Sequence, residues 1–226
     1  MNVASASNRQ QVKEKIRCTA LRMFHERGIR LVKMDDIAAA LSMSKRTLYE
    51  LYANKMELLE DVLELQFNMS RERMRRELKP NASTMDILML ALKISIEEMR
   101  QTSTAFLDDL HRYPEARRML DVLEKRRDKE TNKFFWQGVR EGYFLPDVNY
   151  RLVYDIARTF REQTMFYRKD YDVREVWITL VRMLLRSVCT LKGIRELDEF
   201  LESKVKTEVV DFTASKDEAA STVLPE

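Results

Sequence analysis

Between a few breaks, the chain repeats one pattern: apolar residues return every three or four positions, with charged and polar residues between them. That spacing lines the apolar side chains along one face of a 3.6-residue helix. Gly28, Pro80, Pro114, Gly142, Pro146 and Gly193 punctuate the pattern, and only Gly138 falls well inside a periodic segment. Leu, Met, Glu, Lys and Arg, all strong helix formers, dominate between the breaks. The predicted fold class is all-α.

The first predicted helix, about 9–27, carries Val12, Ile16, Ala20, Met23 and Phe24 on one face and stops at Gly28, suited to a left-handed C-cap. A short helix over 34–41 pairs Ile37 with Leu41, behind Asp35 and Asp36, whose charges suit a helix start. Ser44 caps a third over 44–52. The fourth opens on a capping box, Asn54 with Glu57, carries Leu58, Leu59, Val62 and Leu65, and ends before Pro80. Longer helices follow at about 83–101, 103–112, 115–141, 147–169 and 173–192, then a weaker pattern at 194–203. The last stretch, "TASKDEAASTVLPE", is small and polar without a period, and a mobile tail is expected over 204–226.

Helices 34–41 and 44–52 are separated by a tight turn at Ser42–Met43, which predicts a helix-turn-helix. On the second of them Leu48 points inward with Leu51 and Tyr52 close beside it, Arg46 and Glu50 point away, and Thr47 and Tyr49 flank them. One stripe packs and the other is exposed, so a two-turn helix can lie in a DNA major groove with its N-terminal residues at bases and phosphates. Charge agrees: residues 1–60 hold eleven Lys and Arg against seven Asp and Glu, a surplus of four in a chain whose net charge is +3.

Composition narrows the remaining choices. Hydrophobic residues at 45% can fill a sizeable core. The most apolar run, "MDILMLALKISI", is interrupted by Lys93 and falls short of the roughly 18 residues of a membrane span. With a polar N-terminus, a cytoplasmic protein with no membrane partner is expected. Cys18 and Cys189 are expected as buried small hydrophobes. His25 and His111 give no metal-binding spacing, the scattered glycines form no phosphate loop, and no Ser or Cys nucleophile motif occurs. No enzyme, metal or cofactor is expected.

The run "MDDIAAALSMSKRTLYELYANKMELLEDVL" resembles the DNA-binding segment of the TetR family of transcriptional regulators. It shares an Ile-Ala pair in the second helix, a Ser-Lys start and a Leu-Tyr pair in the third, and an aromatic followed by Lys and Leu opening the fourth. The resemblance implies that Lys45, Arg46 and Thr47, behind Ser44, meet the groove, that Tyr49 contacts the DNA backbone and that Lys55 binds phosphate. Glu50 either accepts from cytosine or, as we favour, sits past the groove edge. Two positions depart from the family pattern. Ser42 stands where the family usually has Gly, which a positive φ would strain. Lys33 replaces a capping Thr, and can pair with phosphate but cannot cap.

The same resemblance implies a division into a helix-turn-helix domain over 1–54, a ligand-binding and dimerisation domain over 55–203 and a tail over 204–226. Met69, Met89, Phe106, His111, Trp136 and Phe160 are candidate pocket residues, with thirteen methionines in the chain available for a pliable lining. Helix 173–192 carries Trp177, Val181, Leu184 and Val188 on a broad apolar face, as a dimer interface requires. The expected partners are therefore a near-palindromic duplex operator, a second copy of the chain and a small-molecule effector. The alternative is a DNA-binding dimer whose C-terminal domain docks another protein.

Overall fold

A computed structural model describes residues 3–156, 159 and 173–202. The helices are α1 Val3–Arg27, α2 Met34–Ala40, α3 Lys45–Leu51, α4 Lys55–Glu77, α5 Thr84–Arg100, α6 Thr104–Arg112 and α7 Pro114–Arg140. They continue with α8, described over 150–156, then α9 Val173–Val188 and α10 over 191–202. Among the described residues there is no strand, only an isolated antiparallel bridge between Phe144 and Cys189. Phe160, the C-terminal part of the expected 147–169 helix and the 204–226 tail lie outside the described residues, as do the side chains of His111 and Trp177.

The ends of the helices follow from local chemistry. Gly28 takes φ +81° and its N–H donates to Phe24 O at 2.8 Å, closing α1. Asn54 Oδ1 accepts from the Met56 and Glu57 amides, while Glu57 reaches back to the Ala53 N–H at 2.7 Å, one residue earlier than a standard capping box. Ser83 with Asp86 caps α5, and Pro114 opens α7 at a position that needs no N–H donor.

Two expectations about extent change. α1 begins at residue 3 rather than near 9. The helix expected over 173–192 stops at Val188, because the chain there pairs with 143–145: Leu145 N–H donates to Val188 O and Thr190 N–H to Tyr143 O. Thr190 then accepts from the Gly193 amide at the start of α10. Gly138 tolerates this arrangement because a Cβ there would lie 2.2 Å from the Phe144 ring.

One buried cluster runs from Ile16, Phe24, Ile37 and Leu48 through Leu58, Val62 and Phe67 to Phe106, Leu110 and Leu123. α4 packs on α1, α5 and α7, so it belongs to both the helix-turn-helix and the helices behind it. Smaller clusters gather around Phe144 and Tyr150, and around Leu92, Leu197 and Leu201. Cys189 is buried as expected, whereas Cys18 is exposed on α1.

Candidate nucleic-acid interface and central cavity

α2 ends in a Schellman motif. Met43 N–H donates to Ala38 O and Ser42 N–H to Ala39 O, both at 3.0 Å, which places Ser42 at φ +52° in the left-handed region. The turn keeps the shape that glycine would give and carries the strain of a side chain. Lys33 precedes α2 with no side-chain cap bond, as expected, and its N–H donates to Asp36 Oδ2 at 2.9 Å.

Ser44 caps α3 by accepting from the Thr47 N–H at 3.1 Å, and its Oγ lies 2.8 Å from Thr47 Oγ1. Leu48 and Tyr52 are buried, and the Tyr52 hydroxyl donates to Asp61 Oδ2 at 2.6 Å. Arg17 donates to the other Asp61 oxygen at 3.1 Å, so α1, the end of α3 and α4 meet at one carboxylate. Burial, then this hydrogen bond, pushes the Tyr52 phenol well above its ordinary range. α3 is thereby held on a rigid base with its other face outward.

Lys45, Arg46, Thr47 and Tyr49 are all exposed on that outer face. Lys45 Nζ lies 2.5 Å from Asp35 Oδ2, and Arg46 Nε donates to Glu50 Oε1 at 2.9 Å. Both pairs are solvated and weak, so phosphate or a base edge can replace either carboxylate. Glu50 thus has a partner in the free protein that neither sequence expectation included.

Lys55 is placed differently from expectation. Its ammonium turns inward and donates to Ile29 O at 2.9 Å and Val32 O at 3.1 Å, tying the α1–α2 turn to the start of α4, and burial lowers its pKa. The physical reason is the pair of carbonyls left open by the turn, which a half-buried ammonium satisfies.

Behind this face lie two adjoining cavities of about 260 and 460 Å³. The first lies among α4, α5, α6 and α7, the second among α4, α5, α7 and α8, and both touch Phe67, Ser70, Ser95 and Glu98. Of the expected pocket residues Phe106 lines the first cavity. Met69 and Trp136 are exposed, and Met89 packs against the Phe144 cluster, so these three do not line it. Ser70, Ser95, Glu98 and Gln66 were not foreseen. The available signal was polar residues at 95 and 98 continuing the inward row of Leu88 and Ala91.

Of the expected interface residues Val188 is buried within its own chain, and Val181, half-buried, packs against the Leu92 cluster. Met183, and Leu191 on α10, are exposed large apolar residues among the described side chains of this region.

α6 joins the cavity to the helix-turn-helix. Phe106, Leu107 and Leu110 line the first cavity, while Asp109, buried on the same helix, accepts from the Arg30 N–H at 2.7 Å. The Ser103 N–H at its start donates to His25 O at 2.8 Å. The His25 ring packs edge-on to Phe106 with Nε2 3.3 Å from Gln66 Oε1, and burial lowers its pKa.

A helix-turn-helix with an exposed basic second helix, seated on an all-helical body, defines a DNA-binding transcriptional regulator. The sequence profile of "Bacterial regulatory proteins, tetR family" matches residues 16–62. HTH-type transcriptional repressor KstR2 of Mycobacterium tuberculosis is 28% identical over 146 residues, spanning 62% of this chain and 72% of that protein. The repressor of the same name from Mycolicibacterium smegmatis is 28% identical over 149 residues, 62% of this chain and 70% of its own. A transcriptional regulator from Cytophaga hutchinsonii shares the fold, with TM-score 0.60 and 18% identity over 78% of this chain and 98% of that one. Residues 16–62 thus carry the DNA-binding segment that this family profile describes.

Proposed function

We propose that this protein is a homodimeric repressor that occupies a near-palindromic operator and leaves it when a small molecule fills the central cavity. The observation that carries this reading is the double engagement of α6, whose residues line a cavity on one side and hold the α1–α2 turn on the other. A ligand that prefers a different α6 position lowers DNA affinity by its differential binding energy. The apolar lining with a few convergent polar groups favours this over a protein-docking module. Repression is supported by the named role of the two mycobacterial relatives.

Ser44, Lys45, Arg46, Thr47 and Tyr49 form the proposed DNA face, with Lys33 at its edge, and the inward Lys55 supports it. Two copies with recognition helices about 34–36 Å apart would meet successive turns of the major groove. Selection of sites from random duplex DNA by the full-length protein tests this directly: an enriched near-palindrome is expected, and uniformly salt-sensitive binding without enrichment would refute it. On the selected site Arg46→Ala should cost about 1–3 kcal/mol and relax one base position. Equal loss on all sequences would assign Arg46 to phosphate instead.

A further inference from the structure

We propose that the effector is a cationic amphiphile: an extended, mostly apolar molecule whose one strongly polar group is an ammonium or amidinium nitrogen seated on Glu98. The proposal rests on the sensor reading above. Glu98 stands where the two cavities meet, since it lines both. Among their described lining residues it is the only carboxylate, and the only cation, Arg71, is exposed, borders the second cavity alone and lies with its guanidinium 5.7 Å from the Phe67 ring centroid.

Among the described residues, the charge at the junction of the two cavities is therefore negative. A carboxylate or phosphate seated at that junction would come beside the half-buried Glu98, where like charges repel. A cationic nitrogen meets the opposite situation. Glu98 Oε1 accepts from the Ser70 hydroxyl at 2.5 Å, the one side-chain hydrogen bond that carboxylate accepts among the described residues. The same hydroxyl lies 3.0 Å from Gln66 O, and its single proton serves one acceptor at a time. The carboxylate thus keeps acceptor capacity for an incoming donor.

The walls suit the same chemistry. Phe67 borders both cavities, Phe106 the first, and Phe134, Phe135 and Tyr154 the second. Aromatic faces attract a cation through the ring quadrupole and accept an apolar body without hydrogen-bond demands. One carboxylate among several rings selects a cation with an apolar remainder over a neutral hydrocarbon. Seating it on Glu98 also disturbs Ser70 on α4, the helix that begins directly behind α3.

Three probes of matched shape test the proposal on the full-length protein by calorimetric titration: 4-phenylbutylammonium, 4-phenylbutanol and 4-phenylbutyrate. The ammonium should bind about tenfold tighter than the alcohol, and the butyrate weaker than both. Glu98→Gln should bring the ammonium to the level of the alcohol. A butyrate that binds as well as the ammonium, or a preference that survives Glu98→Gln, overturns the proposal. Should that variant fail to fold, a structure of the wild-type protein with the ammonium decides: nitrogen within charge-assisted hydrogen-bond reach, about 3 Å, of Glu98 is expected, and nitrogen elsewhere overturns it. Binding of the alcohol without charge preference refutes the ligand class and leaves the sensor reading standing. Binding of none of the three removes the cavity as a sensor site.

Discussion

Ser42 is the residue where local chemistry and backbone demand conflict. A side chain at φ +52° costs roughly 1–2 kcal/mol where glycine costs nothing. Ser42→Gly should therefore stabilise the protein by about 1 kcal/mol in denaturant titration, with the DNA site unchanged. His25 gives a second test. Its imidazole is held neutral by burial, with a folded pKa below the ordinary 6.5, so the unfolded chain binds more protons as pH falls. Its contribution to stability is complete above about pH 6.5 and declines below it, toward the folded pKa. Melting temperature should drop between about pH 7 and pH 5.5, and His25→Gln should flatten that part of the profile. The residues that were legible from sequence, Gly28, Ser44, Asn54 and the buried Tyr52, act through neighbours a few positions away or through helical period. Lys55 was not, because its partners at 29 and 32 belong to another turn of chain and nothing near residue 55 announces them.

Among the elements, α6 has the most to do for its length. Its nine residues supply cavity wall and a buried acceptor, and its N-cap Ser103 ties it to the end of α1. Asp109→Ala leaves the Arg30 N–H without its acceptor and should destabilise by about 1–3 kcal/mol in denaturant titration. Asp109→Asn retains one acceptor oxygen and should recover much of the loss. If α6 transmits occupancy, the alanine variant also loses part of the effector's influence on DNA affinity while still binding effector. Helix existence was legible throughout the described chain because the 3.6 period is local. The break at Val188 was not, since it is imposed by pairing with 143–145 and only Thr190 and Gly193 hint at a new helix start. The cavity was equally hidden: periodicity tells which face turns inward and not whether another face fills the space opposite it.

For the whole molecule, Met183 and Leu191, 64% and 76% exposed, mark the apolar surface that a symmetric dimer would cover. Sedimentation at micromolar concentration should give a dimer, and Met183→Glu should shift it toward monomer and weaken operator binding in parallel. A dimer untouched by that change would place the interface elsewhere. The +3 net charge of the full chain is smaller than the surplus of its first 60 residues, so the positive balance lies in the helix-turn-helix end and the rest of the chain is close to neutral.

The buried cluster that runs without interruption from Ile16 to Leu123 has a consequence for engineering. DNA-recognition modules of this kind invite exchange, one specificity grafted onto another sensor at a seam near residue 55. Here the seam passes through a shared interior, with Phe106 and Leu110 packed in the same cluster as the helices that would be replaced. A graft must carry compatible contacts from α6 and α7 with it, or the two halves will fit neither each other nor the task.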